Sequence, residues 1–150
     1  MIAIIEIVTA VNAVLKAAVQ GTKYVATKVE TKDAKKGFSR PSFFTETDNA
    51  SRGNQNALRS ERNLTIRVYY FPTDINKHRI ELIEIQDLLE RAFMQPLRIK
   101  EGFLVGIDET EVEVTDGTLQ LSFDIQIFED IDESITGDDQ YETMETLEYE

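Results

Sequence analysis

Apolar and polar positions alternate most cleanly over residues 64–71. Leu64, Ile66, Val68 and Tyr70 share one side, and Thr65, Arg67, Tyr69 and Phe71 share the other. A period of two is the mark of a half-buried strand. Pro72 ends the run, and Thr73, Asp74 or Asn76 can cap the helix after it. That helix is predicted to reach about Met94. Leu82, Ile85, Leu88, Leu89, Ala92 and Phe93 face inward, Glu81, Glu84, Asp87, Glu90 and Arg91 face outward, and Pro96 closes it. Residues 2–19 show the same helical period. Ile4, Ile7, Val8, Val11, Val14, Leu15 and Val19 fall on one side, with Glu6, Thr9, Asn12, Ala13, Lys16 and Gln20 opposite. Gly21 supplies the C-terminal stop.

Residues 23–30 are β-branched and aromatic enough to read as a first strand, and residues 41–47 as a second, with Pro41 at its start where a missing donor does least harm. A basic connection with Lys32, Lys35 and Lys36 lies between them. Residues 48–63 are almost wholly polar, with Ala50, Ala57 and Leu58 the apolar exceptions, and are expected to form a long polar loop of the kind that is functional or mobile. After Pro96 the chain reads as a β-meander. One or two short strands span residues 97–107. Residues 111–115 and 118–128 then form a hairpin closed by Asp116-Gly117. That turn sets Val114 opposite Leu119 and Val112 opposite Leu121, with Phe123, Ile125 and Ile127 continuing the apolar face. The predicted order is α-β-β-β-α-β-β-β. It is an α+β fold in which two helices pack on one face of a largely antiparallel sheet.

Charge divides the chain. Residues 1–100 hold all 16 Lys/Arg and 11 Asp/Glu, a balance of +5. Residues 101–150 hold 17 Asp/Glu and no base, which brings the whole to −12. Residues 1–128 are expected to form the domain and residues 129–150 an acidic C-terminal arm. Within the arm Tyr141, Met144 and Leu147 recur every three residues, with Tyr149 close behind. That spacing makes one sparse apolar stripe if the arm becomes helical on a partner. A net acidic chain is a poor binder of free nucleic acid, whose affinity comes from neutralised phosphates. The N-terminal helix carries Glu6, Asn12 and Lys16 and has no basic start. It is therefore read neither as a signal peptide nor as a membrane span, and synthesis in the cytoplasm is expected.

The chain has no cysteine and one histidine, which removes disulfides, thiolate metal sites and multi-histidine centres. His78, between Lys77 and Arg79, has no oriented partner in the sequence and reads as a surface helix residue. The acidic run from Asp130 puts Ile135 and Tyr141 where a calcium loop needs glycine and a bidentate acid. Glu111 and Glu113 alternate with Val112 and Val114, as the wet side of a strand does. No catalytic, cofactor-binding or metal-binding residues are expected. Arg52, Arg59, Arg62 and Arg67 gather on the polar loop and its exit strand, and read either as solvated loop charge or as the candidate interface with an acidic partner.

Three segments together resemble the tail terminator (tail completion) family of tailed bacteriophages and of phage-tail-like particles of Gram-positive bacteria. They are Gly37-Phe38-Ser39-Arg40-Pro41-Ser42-Phe43-Phe44, Val68-Tyr69-Tyr70-Phe71-Pro72, and Val114-Thr115-Asp116-Gly117-Thr118-Leu119-Gln120-Leu121. The resemblance covers roughly residues 1–128. It implies a structural, non-enzymatic virion protein without cofactors, forming a ring, generally hexameric, at the head-proximal end of the tail tube. The implied partners are further copies of the chain, the tail tube protein, the neck or connector protein and, in a contractile tail, the sheath. No membrane and no specific nucleic acid is implied. A head-completion or neck connector protein, or an acidic binding module, are the alternatives.

Overall fold

Two helices and seven strands appear in the order α1 (Ile4–Ala18), β1 (Lys28–Glu30), β2 (Ser42–Asn54), β3 (Arg59–Phe71), α2 (Arg79–Ala92), β4 (Leu97–Lys100), β5 (Phe103–Val105), β6 (Glu111–Thr115) and β7 (Thr118–Asp130). The structure, a computed structural model, describes residues 2–31, 40–74 and 76–130. The basic connection at Lys32, Lys35 and Lys36 and the residues beyond Asp130 lie outside that range.

Five strands form one sheet in the order β1-β2-β3-β7-β6, and β4 and β5 form a separate two-stranded ribbon. β1 runs parallel to β2 and every other pair is antiparallel. Register follows the apolar alternation: Phe43 lies opposite Tyr70, Val68 opposite Leu121, Ile66 opposite Phe123 and Leu64 opposite Ile125. Shifting any strand by one residue would turn this row to the wet side. The β6–β7 turn is as the sequence predicts, with Asp116 and Gly117 both at positive φ (52° and 75°) and Val114 opposite Leu119. Val114 is nevertheless half exposed, because β6 is the sheet's edge.

The two helices cover one sheet face. Ile7, Val11 and Leu15 from α1, with Val19 at its C-cap, meet Leu82, Ile85, Leu89 and Phe93 from the α2 region over the row from β3 and β7. Phe123 packs against Phe93 with ring centroids 5.0 Å apart. The ribbon joins this layer, burying Leu97 and Val105 in the same core. No helix among the described residues is long and apolar enough to cross a membrane.

Several boundaries differ from expectation. The first strand shrinks to three residues, because residues 22–27 close turns in which Val25 N–H donates to Thr22 O and Thr27 N–H to Tyr24 O. α2 begins at Arg79 rather than just after residues 73–76. The Asp74 carboxylate accepts the Asn76 and Lys77 amides and holds a turn there, while Glu81 reaches back to the Thr73 amide and the Tyr70 hydroxyl. α2 stops at Ala92, leaving Met94 exposed. The largest difference concerns residues 48–63, which are not a loop. β2 continues to Asn54 and β3 starts at Arg59, so the polar stretch is a long hairpin arm. The positions of β2 beyond Thr47 are all exposed, so no apolar alternation marks them in the sequence.

Candidate functional site

The hairpin arm owes its shape to one irregularity. Between the pairs Asp48–Thr65 and Ser51–Asn63 the register shifts, and Asn49 takes φ of 49°. Asparagine tolerates the left-handed region better than most side chains, and the Asp48 carboxylate accepts the Asn49 amide at 2.8 Å. The bulge reverses the side-chain phase of the residues beyond it. Arg52 therefore lands on the helix-covered side, directly opposite Arg62. At the tip, the Gln55 and Asn56 amides donate to Arg59 O and the Asn56 side chain accepts the Leu58 amide, which leaves Leu58 78% exposed.

Arg52 and Arg62 converge on Glu129. Its alternation with Phe123, Ile125 and Ile127 turns it inward, and its side chain is 7% exposed. One carboxylate oxygen accepts the Ile2 amide at 2.6 Å, and the other faces the Arg52 guanidinium at 3.5 Å as an ion pair. The Arg62 guanidinium donates to the Ile2 carbonyl at 3.3 Å. Burial and the neighbouring Arg52 push the Arg62 pKa down, against the pull of Glu129. These contacts fasten the start of the chain to the far end of the sheet. They form an internal brace.

Arg67 and Arg59 lie on the opposite, uncovered face. Arg67 donates to the Asp48 carboxylate, and this hydrogen bond holds the Asp48 pKa below the usual carboxylate range. Arg59 sits over the Phe128 ring, 5.6 Å from its centroid. The structure thus divides the four candidate arginines into an inner pair and two outer residues. Tyr141, Met144, Leu147 and Tyr149 lie outside the described residues.

The rest of the uncovered face is a lattice of short polar links. Thr65 Oγ1 donates to Asp124 at 2.6 Å, while Asn63 and Gln126 both donate to Glu61, whose pKa they lower. Toward the other end Phe44, Tyr69 and Phe71 stack in a row, with Arg40 over Phe71. A shallow hollow of about 380 Å³ is lined by Asn49, Thr65, Arg67, Asp108, Glu111 and Asp124 among others. No group of three or more metal-ligating side chains occurs among the described residues. His78 serves as the N-cap of α2, its carbonyl accepting the Leu82 amide. The geometry suits a surface that meets other surfaces.

Two residues of this arrangement are missing from the sequence-based candidates. Glu129 falls at the start of the expected acidic arm, although extending the β7 alternation by one step places it inward. Asn49 carries no readable signal.

A family model described as phage tail terminator protein matches residues 6–137, most of the chain and every described element after the start of α1. No curated protein matches the chain.

Proposed function

Because the chain belongs to the phage tail terminator family, and so to the structural proteins of the virion tail, we propose that it completes the tail as a closed ring. The ring, of six copies, caps the head-proximal end of the tail tube, ends its polymerisation and presents a surface to the neck. In a contractile tail it also holds the last ring of sheath. Assembly takes place in the host cytoplasm, without a cofactor and without catalysis.

The family match carries this reading, and the physical features support it. In a ring each copy offers one patch to a different patch on the next. A chain with +5 in its first hundred residues and −17 in the remainder suits that pairing, since like-patch contact would set acid against acid. The hairpin arm, braced on its inner side by Arg52 and Arg62 and on its outer side by the Arg67–Asp48 pair, is the projecting element. Arg59 and Leu58 at its tip make the outward contact with the tube or the adjacent copy. The acidic arm, with Tyr141, Met144, Leu147 and Tyr149, docks on a basic surface of a neighbouring copy or of the sheath. Gold-labelled antibody against the chain should mark one end of isolated tails, the end that joins the head. Label along the tube or at the distal tip would overturn the proposal.

A further inference from the structure

β6 is the last strand of its sheet, so its outer edge pairs with no strand among the described residues. Glu111 and Glu113 are exposed along it, Val114 is 50% exposed, and Asp108, Glu109 and Asp116 flank it. Five of nine consecutive residues here are acidic, and no base follows position 100. No ion pair among the described residues involves any of the five. The edge is an acidic, partly apolar strip with nothing in its own chain to neutralise it.

The β4–β5 ribbon has the converse character. Leu97 and Val105 point into the core, while Arg98, Lys100 and Leu104 are exposed, Leu104 at 57% and directly opposite Arg98. Neither Arg98 nor Lys100 makes an ion pair among the described residues. One acid, Glu101, sits at the turn.

From this complementarity we infer that the β6 edge of one copy docks on the β4–β5 ribbon of the next, and so forms the repeating contact of the ring. The inference rests on the ring reading above and names the two faces that reading needs. Arg98 and Lys100 are two residues apart on a strand, as are Glu111 and Glu113. Glu111 and Glu113 keep the regular strand spacing of about 7 Å, whereas the β4–β5 register shifts between Arg98 and Lys100, so the ribbon offers its two basic groups at separate positions along the acidic edge. Val114, next to Glu113 along the edge, and Leu104, opposite Arg98 on the ribbon, add one exposed apolar residue to each side of the contact. Other candidates fit less well. The part of β2 beyond its pairing with β1 carries Glu46 and Asp48 and would repel the β6 acids. The hairpin arginines 52, 62 and 67 are engaged within the chain. Lys77 and Arg79 straddle the start of α2, one on the preceding turn and one on the helix, rather than lying on one strand.

The cysteine-free chain allows a direct test. Leu104→Cys and Val114→Cys are made separately in the full chain, and each is oxidised under conditions where the wild-type chain is multimeric. Each alone should remain unlinked, and a mixture of the two should give disulfide-linked dimers. A chain carrying both should give a ladder ending at a closed ring. In parallel, Glu111→Lys with Glu113→Lys should weaken association at least about tenfold, with an unchanged thermal midpoint. Adding Arg98→Glu and Lys100→Glu to the same chain should restore it. Homodimers from Val114→Cys alone, no linkage in the mixture, or no rescue by the double reversal would overturn this contact while leaving the ring intact. A wild-type chain that forms no multimer, in solution or on isolated tails, would overturn the ring and this contact together.

Discussion

Glu129 is an acid near the end of the described chain that lies in the protein rather than on it. Its carboxylate accepts the Ile2 amide and faces Arg52, with Arg62 close by on the Ile2 carbonyl. Removing it leaves two guanidinium groups facing each other and an amide without its acceptor. Breaking a buried, paired charge of this kind costs about 3–5 kcal/mol. Glu129→Ala should lower stability by that order in urea denaturation, and Glu129→Gln, which keeps the amide's acceptor, by less. Asp48 behaves differently because it is exposed. Its carboxyl is held below the ordinary value of 3.8, first by the Arg67 hydrogen bond and then by the Asn49 amide. A depressed folded-state pKa means that the unfolded chain binds the proton more readily. The contribution is therefore complete above the unfolded value and is lost as pH falls through the folded one. Glu61 and Glu84 act in the same direction. The thermal midpoint should fall steeply below about pH 4, and Asp48→Asn should make that fall shallower when midpoints are measured across the acid range.

At the scale of elements, the hairpin arm separates what a tip residue does for folding from what it does for assembly. Leu58→Asp with Arg59→Glu alters the exposed turn, so stability should change by less than about 0.5 kcal/mol per site. Tail completion should fall sharply when the variant is supplied in trans to particles lacking the chain. Normal completion would remove the tip from the contact. The arm also shows where sequence patterning works and where it stops. β3 from Leu64, the register of the β6–β7 hairpin and the inner face of α2 are all legible, because each buries one face against a helix or another strand. The arm is not legible, because strands that extend past the helix layer have little apolar surface to hide. Their inward positions are filled by Ser60, Arg62, Arg52 and Glu129, residues whose partners lie up to 127 positions away. Of the candidate site, the arginines are visible by their clustering. Their division between two faces depends on the bulge at Asn49, where a single left-handed residue reverses the phase.

For the whole molecule the governing feature is the split in charge, with all the basic residues in the first hundred positions and the acid surplus in the last fifty. Salt should therefore weaken association more than it weakens the fold, because exposed charges are screened beyond about 8 Å at physiological ionic strength. A chain ending after Asp130 keeps Glu129 in its brace and loses eight of the acids. It should fold normally but incorporate into tails less well than the full chain at low salt, with the difference narrowing at high salt. Equal incorporation in every condition would leave residues 131–150 without a docking role. The central claim, that the chain ends tail growth, is tested most directly by measuring tail lengths. Electron micrographs of particles made without a functional copy should show tubes of unregulated length and no attached heads, with normal lengths restored when the full chain is supplied. Tails of normal, uniform length joined to heads in its absence would contradict the account.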